Sequence, residues 1–233
     1  MARITRKELK TDEFALGFEH TVDFFEQYKT QIIRYGTAAL IVAALVALIV
    51  VYRNHQATVR QEALSKAMAI QGAPVGSAAP GSAVSYPTED AKTAAETKAF
   101  SEIAAKYSGT AEGYIAEYYL GSMAADQGKM GEADKRFSSV ADAGDQKYAS
   151  LAKLALAQVY FAEGKPDQGE QMLRALMSHP TVFVSRDQAA LALAHMVAAT
   201  NPAEARKLLD PLRAQSGPVG QAAIQSYGEL QGR

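Results

Sequence analysis

The sequence lacks cysteine and tryptophan entirely across its 233 residues. The absence of cysteine excludes disulfides, thiolate metal sites and a cysteine nucleophile, but it does not settle the compartment, because an oxidising space does not require disulfides. An excess of charge of one sign is also lacking, since 24 Lys and Arg residues face 25 Asp and Glu residues. Nucleic-acid-binding proteins normally carry a basic surface, so we expect no nucleic-acid partner.

Motifs for catalysis and cofactor binding are lacking as well. No P-loop, G-x-S-x-G or Rossmann pattern occurs, and the Gly-Lys pairs at 128–129 and 164–165 do not have the Walker spacing. None of the four histidines has a second ligand at metal spacing on its helix face, and His195 fits a packed histidine better than a metal ligand. We therefore expect no enzyme, no metal, no cofactor and no small-molecule substrate.

What the second half of the sequence does contain is a pattern that recurs at a step of 36 residues. Helix-favouring residues dominate this half, so the repeated unit is predicted to be helical. The matching positions are Leu120-Gly121, Leu156-Ala157 and Ala192-Leu193; Gly128, Gly164 and Thr200; Ala133, Gly169 and Ala205; Phe137, Leu173 and Leu209; Val140, Leu176 and Leu212. Such a period indicates a stack of helical hairpins, which usually presents a surface rather than a catalytic pocket.

The hairpin boundaries follow from turn residues. Gly128 and Gly164 are placed to end the first helix of a pair, and Pro166 and Pro202 to open the second. We predict clear repeats over 110–214 and a capping helix over 217–230, within a domain of residues 53–233. Residues 53–71 and 90–107 are predicted to form one more hairpin, separated by a disordered Pro- and Gly-rich loop at 72–88.

One segment, residues 35–52, is apolar on every face and has no charge between Arg34 and Arg53. Eighteen helical residues rise about 27 Å, close to the roughly 30 Å of a bilayer core. A buried core helix would have the same composition, but Tyr35 and Tyr52 lie at the two expected interfaces. No small-residue cleavage site follows the segment, so we predict an uncleaved transmembrane anchor rather than a signal peptide.

The orientation of this anchor follows from the basic residues that flank it. Six lie before the segment and three in a comparable stretch after it, which places the N-terminus in the cytoplasm. The larger C-terminal part then lies outside, in the periplasm if the source is a Gram-negative bacterium. These basic residues are Arg3, Arg6, Lys7, Lys10, Lys29 and Arg34 before the segment, and Arg53, Arg60 and Lys66 after it.

The first 34 residues are predicted to form an amphipathic cytoplasmic arm. Its apolar stripe is made of Phe14, Phe18, Val22 and Phe25, at steps of four, four and three residues. The stripe fits either a docking face for a membrane partner or a helix lying on lipid. The opposite face is acidic, which does not suit binding to anionic lipid and favours a protein partner.

The repeat residues resemble the tetratricopeptide pattern, present as Leu120-Gly121, Gly128, Ala133, Phe137 and Val140. The period is 36 rather than 34, and the closing proline is missing or displaced. The whole layout resembles the YfgM-like family of ancillary SecYEG translocon subunits. This resemblance implies an all-α, single-pass inner-membrane protein with an external α-solenoid, which works beside SecYEG with a periplasmic chaperone on emerging chains.

The resemblance also implies a protein-binding groove lined by the first helix of each hairpin. Carrying those positions over gives Ile115, Tyr118 and Ser122; Leu151, Leu154, Gln158 and Phe161; and Asp187, Ala190, Ala194 and Val197. The Lys and Asn residues with which some relatives clamp a peptide carboxylate are absent, so we expect an apolar or amphipathic partner. Burial of these residues under a neighbouring repeat or under the capping helix is the alternative. An envelope-assembly adaptor, in outer-membrane biogenesis or cell division, is the alternative function.

Overall fold

The computed structural model describes residues 6–76, 84–143 and 146–231, with the backbone alone for residues 6–29, 32 and 146. Within these ranges the secondary structure is helical, and the β-structure consists of a single bridge between Val75 and Tyr86. The chain divides into two compact units, Met1–Thr58 and Val59–Arg233. The helices are α1 (Arg6–Gln71), α2 (Glu89–Lys106), α3 (Ala111–Asp126), α4 (Met130–Ala141), α5 (Gln146–Ala162), α6 (Pro166–Ser178), α7 (Arg186–Val197), α8 (Pro202–Arg213) and α9 (Pro218–Gln231).

The first unit consists of the greater part of α1. Its segment from Ile33 contains a stretch of mean hydropathy 2.4, of which none is buried. Large apolar side chains such as Leu40 and Val51 are 71% and 66% exposed, and Tyr35 and Tyr52 are exposed as well. A helix that is apolar on all sides needs an apolar environment, so this is a candidate membrane span. The side chains of Phe14, Phe18, Val22 and Phe25 lie outside the described residues.

The two ends of the 72–88 connection pair with each other. The backbone N–H of Gly76 donates to the carbonyl of Tyr86 at 2.8 Å, and the N–H of Tyr86 donates to the carbonyl of Pro74 at 3.0 Å. Ala73 is buried beside them. At these ends the chain differs from the disordered loop that the sequence predicts, because backbone hydrogen bonds close its base; residues 77–83 lie outside the described residues.

Local sequence signals explain where the helices of the second unit begin. Thr88 and Thr110 cap α2 and α3 by accepting hydrogen bonds from the N–H groups of Ala91 and Gly113. Ser185 and Gln188 form a reciprocal capping box at α7. The first residues of α6, α8 and α9 are prolines, whose missing N–H has no intrahelical partner at that position.

The turns between α3 and α4 and between α5 and α6 depend on glycine. Gly128 and Gly164 have φ angles of 73° and 74°, in the left-handed region that favours glycine. Their N–H groups donate to the carbonyls of Ala125 and Phe161, which closes each first helix. The third turn uses Asn201 instead, whose side chain accepts a hydrogen bond from the N–H of Glu204 at 3.1 Å.

Successive helices of the second unit pack as a row of antiparallel hairpins around three apolar clusters. The first cluster includes Ala67 from the end of α1, so residues 59–71 act as the first helix of the stack. Phe100 lies in the same cluster and stacks on Tyr119 with ring centroids 4.9 Å apart. The later clusters centre on Phe137 and on Leu173 with Leu193. An all-helical tetratricopeptide-like solenoid, as the sequence predicts, is confirmed.

The two sides of this stack differ. The first helices of the hairpins contact one another in sequence, α3 with α5, α5 with α7, and α7 with the capping helix α9. Among the helices that the structure describes, the backbones of the second helices α4, α6 and α8 lie too far apart to pack directly on one another. Spaces therefore open between neighbouring second helices, above the first helix that lies between them.

Candidate functional site

The groove predicted on the first helices is closed at the third repeat. Val197 and Ala194 are each only 1% exposed and Ala190 is 6% exposed, all within the apolar cluster between α7, α8 and α9. Val197 is too deeply buried for a partner to contact it, so its assignment to the groove is wrong, whereas Ala190 lines a cavity between α6 and α8. Asp187 is half-buried and accepts a hydrogen bond from the Gln215 amide at 3.0 Å.

The second-repeat residues are largely engaged in packing between helices. Phe161 lies against Gly169, so closely that a Cβ on that glycine would be 2.6 Å from the ring. Leu151 and Leu154 are half-buried and pack against the cluster around α7. Only part of each leucine side chain is accessible to a partner, because the rest already packs against neighbouring helices.

The first-repeat residues keep more contact with solvent. Tyr118 is half-buried and lies 5.4 Å from the Phe137 ring and 6.3 Å from the Tyr119 ring, measured between centroids. Burial raises the pKa of Tyr118, Tyr119 adds to the rise, and a hydrogen bond with Ser122 opposes it. Ile115 is half-buried on the same helix.

Ser122 and Gln158 do come together, on either side of one small cavity. The cavity holds about 270 Å³ between α3, α4 and α5, with Phe137 and Val159 in its wall. A volume just below the roughly 300–1,000 Å³ of ligand sites has room for a single side chain of a partner and little more. Of the predicted groove residues that the structure describes, Ser122 and Gln158 share this pocket, whereas Asp187 and Ala190 line a separate cavity between α6 and α8.

A larger cavity lies on the other side of the stack, which the sequence analysis missed. We call it the middle groove: a space of about 910 Å³ between α4 and α6, above α5. Apolar and polar side chains share its walls. The apolar residues are Ala141, Ala149, Met172, Ala175, Leu176 and Pro180, and the polar ones are Asp142, Ser150, Lys153, Tyr160, Gln168, Gln171, His179 and Thr181.

A second cavity repeats the middle groove one hairpin further on. We call it the distal groove: about 460 Å³ between α6 and α8, above α7. Most of its residues lie 36 positions after residues of the middle groove. The equivalent pairs include Ala141 and Met177, Ser150 and Arg186, Gln168 and Glu204, Gln171 and Lys207, Met172 and Leu208, Leu176 and Leu212, and His179 and Gln215. The 36-residue step could have indicated both grooves, had the second helices been compared.

Ion pairs distinguish these spaces. In the distal groove Arg174 donates from α6 to Glu204 on α8 at 2.6 Å and to Glu170 at 3.0 Å, and these bonds raise the pKa of Arg174. On the first clear hairpin Arg136 occupies the position equivalent to Met172, and it pairs with Glu117 at 3.0 Å and Glu132 at 3.4 Å. Within the described residues, no ion pair joins α4 to α6 across the middle groove.

The histidine of α7 forms a polar contact between helices. His195 is exposed rather than packed in the core as expected, and its Nε2 lies 2.5 Å from the Ser226 hydroxyl, which donates to the Ala222 carbonyl. This contact joins α7 to the capping helix. Among the residues that the structure describes, no group of three or more His, Asp or Glu side chains could hold a metal ion.

Comparison with known proteins agrees with this architecture. The family model described as "Tetratricopeptide repeat-like domain" matches residues 23–208, which is most of the chain. The chain therefore belongs to the tetratricopeptide repeat-like domain family. Searches among curated proteins and among solved structures found no match.

Proposed function

We propose that this protein is a non-enzymatic, membrane-anchored scaffold that binds other proteins through its repeat domain, as an accessory to the Sec translocon and periplasmic chaperones during export. In this proposal the chain crosses the inner membrane once, with a cytoplasmic N-terminus and a periplasmic repeat domain. The observation that carries it is one chain with both a fully exposed apolar helix segment and a repeat stack with open grooves. Repeat stacks of this family bind proteins along such surfaces.

The small pocket of the first helices also suits a partner that is not recognised by a terminal charge. Tyr118, Ser122, Leu154 and Gln158 stand at the positions where a carboxylate clamp would need Lys and Asn. Two of these, Ser122 and Gln158, line the small pocket of the first helices. A site without fixed cations at its centre favours internal, neutral segments of a polypeptide over a free C-terminus.

The proposal is tested by crosslinking in native membranes, with mass spectrometry of the captured proteins. The wild-type chain is compared with a variant in which residues 1–52 are replaced by an unrelated single-pass anchor. We expect Sec channel subunits with the wild type and their loss from the variant. Recovery of no Sec component from the wild type would contradict the translocon role. Retention of all partners by the variant would instead favour an envelope-assembly adaptor.

Orientation is tested separately by reporters fused after Arg233. A fused enzyme that works only in the periplasm should show activity. A fused reporter that works only in the cytoplasm should show none. The reverse result would overturn the proposed topology, because the basic residues would then have given the wrong orientation.

A further inference from the structure

The second helices of the three clear hairpins carry one repeated pair of residues, and the middle hairpin departs from it. The pair is Glu132 and Lys135 on α4, and Glu204 and Lys207 on α8. At the equivalent positions α6 has Gln168 and Gln171, which are neutral. Both of these glutamines line the middle groove. Among the three clear hairpins, the neutral pair therefore lies at the larger of the two grooves.

Because of the same change, the middle groove lacks an equivalent of the ion pair that crosses the distal groove. In the distal groove Arg174 reaches Glu204 at 2.6 Å. One repeat earlier these positions are Ser138 and Gln168, which cannot form an ion pair. The Ser138 hydroxyl instead donates to Asp134 on its own helix at 3.0 Å. The larger volume of the middle groove, about 910 Å³ against about 460 Å³, agrees with this loss.

The two glutamines present groups that match an extended backbone. Both side chains are exposed, and neither has a hydrogen-bond partner among the described residues. Each amide can donate to a carbonyl and accept from an N–H. Residues three apart on a helix have Cβ atoms about 5–6 Å apart, and an extended chain repeats its orientation about every 6.6 Å. A helical partner has no free backbone groups in its interior for these amides.

The remaining walls of the middle groove favour a neutral and partly apolar occupant. Met172 and Leu176 line the α6 side and Ala149 the α5 side, beneath the two glutamines. Ser150 and Thr181 also line the groove, but their hydroxyl groups already bond each other at 2.7 Å. The one Lys and one Asp of the lining, Lys153 and Asp142, balance in charge. A charged peptide therefore gains no net attraction from these two groups.

We propose that the middle groove binds an extended, uncharged segment of an unfolded polypeptide, with Gln168 and Gln171 pairing with its backbone. This inference rests on the proposed function as a protein-binding scaffold and specifies the chemistry of the partner. Recognition through backbone groups tolerates many sequences, as binding of chains that have not yet folded requires.

The test uses the full-length chain in lipid nanodiscs and a fluorescein-labelled ten-residue peptide of alternating serine and valine. Binding is followed by fluorescence anisotropy. The variant Q168E/Q171K gives α6 the pair that α4 and α8 already have, so it is compatible with the fold. We expect it to weaken peptide binding at least tenfold. A matched control, Q221E/Q225K, makes the same changes at exposed positions of α9 and should leave the affinity unchanged.

A second variant tests the geometry of the groove itself. S138R/Q168E places across the middle groove the residue types that cross the distal groove as Arg174 and Glu204. We expect the double variant to lose peptide binding, and S138R alone to retain more of it. Circular dichroism checks that the variants keep the helical content of the wild type.

Several outcomes would overturn the inference. These are no binding by the wild type, equal binding by Q168E/Q171K, or equal binding of a peptide locked as a helix by aminoisobutyrate. The result is separable from the translocon role, because Q168E/Q171K retains residues 1–52 and should still capture the Sec channel. If the wild type binds the peptide but captures no Sec channel subunit, the translocon role would be rejected and the peptide-binding inference would stand.

Discussion

Two glycines set how closely the helices of a hairpin approach each other. A Cβ built on Gly121 would lie 2.8 Å from the Phe137 ring, and Phe137 is buried. In the next hairpin the same contact is reversed, since Phe161 lies on the first helix and Gly169 on the second. The small residue and the large one exchange helices, but the helices still pack closely in both hairpins.

Gly121→Ala should therefore destabilise the repeat domain, although alanine is the better helix former. The buried Phe137 ring has to move, and such overpacking costs about 1–3 kcal/mol. The loss of stability is measured as a lower urea concentration at the midpoint of unfolding of the repeat domain, with the full-length chain in nanodiscs. Gly228→Ala is the matched control, because nothing lies within 4 Å of its Cβ, and it should stabilise by about 0.5–1 kcal/mol. Equal effects of the two substitutions would contradict the close contact.

Tyr118 should make the stability of the domain depend on pH in alkali. Burial raises its pKa above the ordinary value of 10.0, so the folded state holds the phenol proton more tightly than the unfolded state. This contribution is fully present below the unfolded pKa and is lost as the pH rises through the raised folded pKa. The urea midpoint of the wild type should therefore fall relative to that of Tyr118→Phe as the pH rises above about 10. A constant difference over this rise in pH would reject the assignment.

At the scale of single elements, α1 has two different surroundings along its length. Its apolar stretch is exposed on every side, whereas Ala67 near its end is buried against Phe100 and Leu120. Arg60 is the first charged residue of the second unit, and it pairs with Glu112 at 3.1 Å. The Glu112 side chain is only 10% exposed, so this ion pair lies partly within the packing of the stack.

Removing Arg60 should leave the carboxylate of Glu112 poorly paired. We expect Arg60→Ala to destabilise the repeat domain by about 1–3 kcal/mol, because Glu112 loses a partner while it stays largely buried. Hydrogen exchange of α3 measures the effect locally. Lys66→Ala breaks the exposed pair with Glu62 and should leave exchange of α3 unchanged. Similar exchange in both variants would show that Arg60 contributes little.

A charge in the middle of the apolar stretch tests the membrane span directly. Leu45→Arg should weaken insertion by about 3 kcal/mol, because a bilayer centre offers the guanidinium no partner. Resistance of the chain to alkaline extraction from membranes measures insertion. Leu45→Ile should stay in the membrane fraction. Equal extraction of the two variants would contradict a membrane span at this position.

The hairpins themselves could be predicted from the sequence, because turn residues and a fixed period act locally. Gly128, Gly164 and Pro202 lie at the turns where they are expected, and the predicted range of 110–214 closely brackets α3 to α8. The binding surface was predicted less well. Val197 matches a groove position by repeat register, yet it is buried because the capping helix packs on α7. The repeat register alone does not say which helix covers a given position.

The middle groove was missed for a related reason. Its opening depends on side chains that are absent from one repeat and present in its neighbours, such as Glu132 and Glu204. A search for matching positions emphasises what the repeats share, whereas the groove arises where they differ. Comparison of the repeats position by position at the second helices would have singled out Gln168 and Gln171.

At the scale of the whole molecule, the repeat stack should respond to a local change by local loosening. Each helix of the second unit contacts mainly its neighbours along the chain, so stability is expected to add up from neighbouring interfaces. The capping helix α9 completes the last interface. Ala223 and Leu230 are buried against the α7 and α8 cluster, and Arg206 donates to the Leu230 carbonyl at 2.8 Å.

Leu230→Ala should therefore loosen the C-terminal end of the stack without affecting its beginning. Truncation of a buried leucine costs about 2–5 kcal/mol, and most of this cost should fall on α7 to α9. Hydrogen–deuterium exchange of the full-length chain in nanodiscs should show faster exchange there and unchanged exchange in α2 to α4. Ile224→Ala removes an apolar side chain from the exposed face of the same helix, 56% exposed, and should alter neither region. Faster exchange throughout α2 to α9 in Leu230→Ala would instead show that the second unit unfolds as one cooperative block, and that its repeats are not independent in energy.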